Sequence, residues 1–212
     1  MRYIVNDCTD AVYNLDFERR CLEQMPLEEP YFWLWRNAPS VIIGHNQVAE
    51  AEVNMDYLRA NGIALVRRST GGGAVYHDLG NLNYSFIRPL RGGETVPEGV
   101  LRDPAVEMVA GALRQMDVPA EIGGRNDIFV EGRKVSGFAK RIWRDRVLVH
   151  GTLMYDVDLD VLSRVLDTPG SKLNRKGVAS VRSRVANLKL YLPQYPTIES
   201  FAAALHSILR RG

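Results

Sequence analysis

The chain has 212 residues, 46% hydrophobic and 25% charged, with a formal net charge of +2. That balance describes a globular protein with a core of its own and excludes both a disordered chain and a polyelectrolyte that holds anions by bulk charge. Two cysteines, Cys8 and Cys21, exclude a disulfide framework. No leader pattern and no apolar run of membrane-spanning length is present, so the expected compartment is cytoplasmic.

Tyr3 to Val5 reads as a short strand. Asp10 reads as the N-cap of a helix to about Met25, with Val12, Leu15, Arg19 and Leu22 on one face. Pro26 and Pro30 end it, and the aromatic run Tyr31 to Trp35 and the run Val41 to Gly44 read as strands. Asn54 caps a short helix to Ala60, which Asn61-Gly62 terminates, and Ala64 to Arg67 is a strand. Gly73 to His77 and Leu82 to Arg88 read as a pair of strands, the second with Leu82, Tyr84 and Phe86 on one face and Asn83, Ser85 and Ile87 on the other. Pro89 to Glu98 is a loop, and a helix begins near Pro104 and runs to about Met116. Asp127 to Val130, Glu131-Gly132 and Arg133 to Gly137 form a tight hairpin. Val147 to Met154 is a strand, Asp158 caps a helix through Val165, and Thr197 caps a last one to about Leu209. Strands interleaved with helices, often as hairpins, predict an α+β (mixed-sheet α/β) fold forming one domain over residues 1–212.

The segment Arg67-Arg68-Ser69-Thr70-Gly71-Gly72-Gly73-Ala74-Val75-Tyr76-His77-Asp78 is the most informative stretch. Arginines offer forked donors to a phosphate or carboxylate, and consecutive glycines let a backbone come close to a ligand and present its N–H groups as an anion nest. A strand follows the glycines, whereas a Rossmann or P-loop phosphate site needs a helix there, so those folds are set aside. A flexible hairpin loop flanked by surface arginines fits the same local composition.

Lys134 lies just past the predicted hairpin turn, and strand alternation puts it on the face of Ser136. Asp127 precedes it on the partner strand and is a candidate hard-oxygen ligand for Mg²⁺, or simply turn chemistry with Asn126. A nucleophile elbow is absent, and His45, His77, His150 and His206 show no metal-ligand spacing. Basic residues cluster in two places. Arg133, Lys134, Lys140, Arg141, Arg144 and Arg146 form one cluster, and Lys172, Arg175, Lys176, Arg182, Arg184 and Lys189 form the other. Such patches attract a nucleotide, a nucleic acid or an acidic protein surface, or are solvated faces.

Taken together, several blocks resemble the lipoate–protein ligases, which share a class II synthetase-like catalytic fold with biotin–protein ligases. The blocks are Tyr13-Asn14-Leu15, Pro39 to Gly44 with Asn46-Gln47, Arg67 to Asp78 continuing through Gly80-Asn81-Leu82-Asn83-Tyr84-Ser85, Gly124 to Ile128, Arg133 to Gly137, His150 to Leu153 and Gly177 to Val185. The resemblance implies a central mixed sheet flanked by helices. It also implies a two-step reaction in which lipoate and MgATP give lipoyl-AMP, and a carrier lysine then takes the lipoyl group. It assigns Arg68 and the Gly73-Ala74-Val75-Tyr76 backbone to the nucleotide, and Lys134 to both the lipoyl carbonyl and the phosphate. Gly137, Ala139 and His150 go to the acyl pocket.

The implied cofactors are ATP and Mg²⁺, with lipoate as substrate. The implied partners are lipoyl-carrier domains of a 2-oxoacid dehydrogenase E2 or the glycine cleavage H protein, with neither nucleic acid nor membrane involved. The familiar ligases carry an accessory C-terminal domain of roughly a hundred residues, a common small-domain size; its place beyond Gly212 is expected to be taken by a separate protein, by nothing, or by a further part of a longer chain. Val149 stands where relatives often carry a second histidine, which predicts a different pocket polarity there, and Phe138 where a small residue is usual, which predicts a narrower pocket for a shorter or differently shaped acyl chain. Two other functions compete: an ATP-independent octanoyl or lipoyl transferase working through a cysteine, and a non-catalytic basic binding module.

Overall fold

The structure is a computed structural model, described over residues 1–90, 103–124, 127–166 and 184–211. The predicted loop at 91–98, Arg125 and Asn126, the block 177–183, and the basic residues Lys172, Arg175, Lys176 and Arg182 lie outside the described residues. The first half holds β1 (Arg2–Tyr3), α1 (Ala11–Gln24), β2 (Tyr31–Trp35), β3 (Ser40–Ile43), α2 (Ala49–Glu52), α3 (Met55–Ala60), β4 (Ala64–Arg67), β5 (Val75–His77) and β6 (Asn81–Pro89). The second holds α4 (Pro104–Gln115), β7 (Ala120–Gly123), β8 (Asp127–Val130), β9 (Arg133–Trp143), β10 (Arg146–Met154), α5 (Leu159–Val165) and α6 (Ile198–Arg211).

Side-chain caps start three of the helices where the sequence places them. Asp10 accepts from the Tyr13 N–H, Asn54 from that of Tyr57, and Asp158 from those of Asp160 and Val161. The short helix α2 was not anticipated; Val48 at its start offers no capping side chain. In α1 the buried face is Ala11, Asn14, Leu15, Glu18, Cys21 and Leu22, while Val12, predicted to face inward, is exposed.

The strands form two mixed sheets, in keeping with the α+β expectation. The larger has the order β1-β2-β6-β10-β9-β8-β7, with β1 parallel to β2 and the rest antiparallel. The smaller has the order β4-β3-β5, parallel then antiparallel. On one face of the large sheet, Val106, Val109 and Leu113 of α4 and Phe201 and Leu205 of α6 pack on Phe32, Leu82, Tyr84 and Phe86. On the other, Leu15 and Leu22 of α1 and Ile42 of β3 meet Trp33, Trp35, Ile87 and Leu148. The far face of the small sheet is closed by Leu58 of α3 and Val165 of α5 against Val41, Ile43 and Tyr76. None of the described helices is long and apolar enough to cross a membrane.

The predicted pairing of the strand ending at His77 with the one after it does not occur. β5 pairs with β3 in the small sheet, and β6 lies between β2 and β10 in the large one. The chain crosses between sheets at Asp78-Leu79-Gly80, where the Gly80 carbonyl accepts from Tyr155 and Asp156 at 3.1 and 2.9 Å. A Cβ on Gly80 would stand 2.0 Å from the Asp156 carbonyl oxygen. Gly80→Ala is therefore expected to lower stability by about 1–3 kcal/mol, read as a reduced urea midpoint at unchanged slope.

Candidate active site

The glycine loop is built from behind by its two arginines. Arg67 Nη1 donates to the carbonyls of Gly44, His45 and Gln47 at 2.9, 3.0 and 2.8 Å. Arg68 is buried and donates from Nη2 to the carbonyls of Gly71 and Gly73, both at 2.7 Å, from Nη1 to that of Ile42 at 3.1 Å, and from Nε to Thr70 Oγ1 at 2.9 Å. Burial pulls its guanidinium down to about 10, with Glu18 opposing, so it stays charged at neutral pH. Gly72 sits at φ +93, and a Cβ there would meet Arg68 Nη2 at 2.9 Å; a Cβ on Gly44 would lie 2.3 Å from the Gly72 carbonyl oxygen. The loop is thus a tightly held shape, and the guanidinium expected to face phosphate is turned to the loop's own carbonyls. Beyond it, Ala74 and Tyr76 are buried, and Val75 and Tyr76 belong to β5, an edge strand of the small sheet.

Lys134 stands on the facing side of the large sheet. It pairs with Phe129 of β8, whereas Ser136 pairs with Ile128, the register shifting between them. Because Ile128 and Phe129 point to opposite faces, this β-bulge separates Lys134 from Ser136, against the simple alternation read from the sequence. The lysine instead lies over Gly137, where a Cβ would come within 3.1 Å of its Nζ. Nζ pairs with Asp127 Oδ1 at 2.6 Å, the side chains being 22% and 13% exposed. Its backbone is fixed from the other edge: Lys134 N donates to the Arg184 carbonyl at 2.8 Å, and Ala186 N donates to that of Lys134 at 3.0 Å. Among the described residues no group of three or more His, Cys, Asp or Glu is arranged to hold a metal ion.

His150 pairs across the sheet with Ala139, and on its other side with Ser85. Its buried ring joins the two sheets, with Nδ1 2.7 Å from Glu18 Oε2 and Nε2 2.9 Å from Thr70 Oγ1. Two residues along, Thr152 Oγ1 accepts from the Gly137 N–H at 3.1 Å. Lys134, Gly137, Ala139 and His150 therefore follow one face of β9 and β10, and Thr70 brings the glycine loop to the same place. Phe138 and Val149 belong to the opposite face, in the core beneath α4. Phe138 does not narrow the site, and a side chain at 149 does not set its polarity; alternation along β9 and β10 turns both away.

Glu18, Thr70, Ser85 and Trp35 were not picked out by their chemistry in the sequence. The available signal was Glu18 itself, an acid spaced to fall on the buried face of α1. Cys21 lies on that face too, and burial pushes its thiol up to about 12, with Glu18 adding to the effect. That is contrary to what a cysteine nucleophile needs.

Behind the loop, His77 Nδ1 accepts from Asn37 Nδ2 at 3.0 Å, and burial, then Arg68 and His150, pull its ring from the ordinary 6.5 to about 3. The unfolded chain takes up a proton near pH 6.5 that folded His77 refuses until about pH 3. The stability so contributed is whole above the unfolded value and is lost as pH falls through this window, at up to about 1.4 kcal/mol per unit. Urea midpoints between pH 7 and 5 are expected to fall in the native protein and to fall less steeply in His77→Gln.

Residues 10–210 match the family of the lipoyl protein ligase A/B catalytic domain. The lipoate-protein ligase LplJ of Bacillus subtilis (strain 168) is 42% identical over 206 residues, covering 97% of this chain and 61% of that protein. The chain thus spans about three fifths of the length of the curated relatives it matches. A solved archaeal lipoylation system from Thermoplasma acidophilum, a bipartite lipoate protein ligase and its E2 lipoyl domain, superposes with a TM-score of 0.83 at 32% identity. That match covers 99% of this chain and 82% of the other. A crystal structure of lipoate-protein ligase A bound with ATP gives a TM-score of 0.79 at 29% identity, covering 99% and 84%. With a match running through both the glycine loop and the Lys134 hairpin, the chain belongs to the lipoyl protein ligase A/B catalytic-domain family.

Proposed function

We propose that this chain is the catalytic unit of an ATP-dependent lipoate–protein ligase. It would join lipoate to AMP and pass the lipoyl group to a lysine of a carrier domain, either an E2 lipoyl domain or a glycine cleavage H protein. The observation that carries the reading is the single face on which Lys134, Gly137, Ala139 and His150 line up opposite a glycine loop shaped by Arg68. The ligases to which the chain is similar, one of them bound with ATP, support the same reaction.

In the first step a lipoate carboxylate oxygen bonds to the α-phosphorus of ATP and the bond to pyrophosphate breaks. Both reactants are anionic, so catalysis is mostly positioning and charge neutralisation. The Lys134 ammonium is the side chain placed for this. Asp127 and the paired backbone hold it over Gly137, whose missing side chain leaves room for it. The loop backbone at Gly73 to Tyr76 receives the nucleotide, and Arg68 keeps that backbone in shape. In the second step the neutral amine of the carrier lysine bonds to the acyl carbon, AMP leaves with the electron pair of the broken C–O bond, and the new amide loses a proton. Lys134 then polarises the attacked carbonyl. Neither step needs a protein nucleophile, in keeping with the burial of Cys21 in the core.

Asp127 fits a Mg²⁺ that arrives with the ATP phosphates better than one caged by protein, since Mg²⁺ commonly takes one or two carboxylates plus phosphate oxygens and water. Bound there, the ion would offset phosphate charge. The archaeal ligase to which the chain is similar is bipartite, so a candidate accessory protein is included in the test.

The test combines the purified chain, lipoate, MgATP and a carrier domain, with and without a candidate accessory protein, read by intact mass. One lipoyl group added to the carrier only when ATP is present is the expected result. Acyl transfer from an octanoylated carrier without ATP would replace the ligase by a transferase, and an unmodified carrier under every condition would refute both.

A further inference from the structure

The backbone of Lys134 is supported in an uncommon way. Pairing of β10 with β9 stops at Gly151 opposite Phe138, so beside Lys134 the place of β10 is taken by residues 184–186. That contact is one isolated parallel bridge, Lys134 to Val185. The Lys134 N–H donates to the Arg184 carbonyl at 2.8 Å, and the Ala186 N–H donates to the Lys134 carbonyl at 3.0 Å. A single bridge has no neighbouring rungs to set its register, so the segment has to be fixed from elsewhere.

The next residue, Asn187, fixes it. Its Oδ1 accepts from the Val157 N–H at 3.0 Å, and its Nδ2 donates to the Val157 carbonyl at 2.9 Å. Only one orientation of the amide serves both bonds, so the partners assign its oxygen and nitrogen. The side chain thus copies a peptide unit and pairs with Val157 as a strand would. Ala186 and Leu188 on either side of it are buried, as is Val157. From there the connection runs on to the other wall of the site. The Asp158 N–H donates to Asp78 Oδ2 at 2.9 Å, and Asp78 Oδ1 accepts from the Gly80 N–H at 2.9 Å. Asp78 directly follows β5, the strand of Val75 and Tyr76. Val157-Asp158 is therefore a corner gripped by Asn187 on the lysine side and by Asp78 on the glycine-loop side. A further tie, from the Lys189 N–H to the Tyr155 carbonyl at 3.0 Å, keeps the segment in place when Asn187 is lost but does not set its register at Lys134.

We propose that Asn187 is a positioning residue for Lys134. It sets the segment that fixes the lysine's backbone, and through the Val157-Asp158 corner it ties that lysine to β5, while touching neither substrate. The inference rests on the reading of Lys134 as the charge-neutralising group and of β5 as nucleotide wall. A shifted backbone carries Nζ with it, and a misplacement of about 1 Å is enough to cost about a hundredfold in rate.

Two measurements test it, in Asn187→Ala and in Asn187→Asp, each checked for a native circular dichroism spectrum. Aspartate keeps the acceptor for the Val157 N–H and loses the donor to its carbonyl, so it is expected to lie between the native protein and the alanine variant; if the alanine variant does not fold, the aspartate variant carries the same comparisons. The first measurement is amide exchange by NMR. Protection at Lys134 and Ala186 is expected to fall at least tenfold, with that of Leu148 in the centre of β10 unchanged. Native protection at Lys134, or an equal fall at Leu148, overturns the proposal. The second is pyrophosphate release. Asn187→Ala is expected to lower kcat by about tenfold or more with the KM for lipoate unchanged, and to lower it no further in a Lys134→Ala background, as for residues acting through one group. A fully additive loss, or one confined to the KM for lipoate, overturns the coupling. If the native chain releases no pyrophosphate, the proposed reaction fails, while amide exchange still decides whether Asn187 sets the backbone of Lys134.

Discussion

Lys134→Ala is expected to reduce lipoyl-AMP formation by about 10²- to 10³-fold, the usual loss when one preorganised charge-stabilising group is removed. The measurement is pyrophosphate release with saturating lipoate and MgATP. The fold is expected to survive. The side chain is 22% exposed and its partner Asp127 13%, so the lost pair costs about 1–2 kcal/mol. Lys134→Arg is not expected to rescue the activity. The guanidinium is a broad planar fork, and Nζ already sits 3.1 Å from the point a Cβ on Gly137 would occupy. A compact charge fits that gap and a fork does not. Wild-type pyrophosphate release by Lys134→Ala would remove the lysine from the mechanism.

Arg68→Ala is expected to weaken ATP binding at least tenfold and also to lower stability by about 2–3 kcal/mol, because it strands the buried Ile42 carbonyl and releases the part-buried carbonyls that shape the loop. The carbonyls of Gly71, Gly73 and Ile42 all lose a donor at once. Urea unfolding and calorimetric ATP titration on the same samples separate two roles. An arginine that only grips phosphate would leave the urea midpoint unchanged, whereas one that shapes the loop shifts midpoint and affinity together. Arg68→Lys is expected to behave like the alanine variant, since one ammonium cannot reach carbonyls spread around a planar group.

Much of the fold was legible because its signals are local. Asp10, Asn54 and Asp158 announce helix starts that the backbone N–H groups then use, and Glu131-Gly132 turns the hairpin with both residues at positive φ, 50° and 71°. The order of blocks around Arg68, Lys134 and His150 carried the family. What the sequence left hidden depends on partners distant along the chain. His77 and Leu82 are close neighbours in sequence but join different sheets, because β3 and β10 compete for them. The bulge beside Lys134 shifts a strict period of two by one residue, so a pattern argument assigns the lysine to the wrong face until the pairing with Phe129 is seen. Glu18 reads as one more acid on a surface helix until its neighbours, Ser85 and His150, arrive from two strands far downstream.

The bonds between Lys134 and the segment at Arg184 to Ala186 also bear on how the site comes into being. The β8–β9 hairpin is local and can form early, but it lacks the last pair of hydrogen bonds that fixes the lysine's backbone until the chain beyond α5 has been made and laid alongside. A nascent chain can therefore carry its loop, its sheet and its lysine and still lack a competent centre. Slow amide exchange at Lys134, appearing in step with that at Ala186, would mark the moment of assembly.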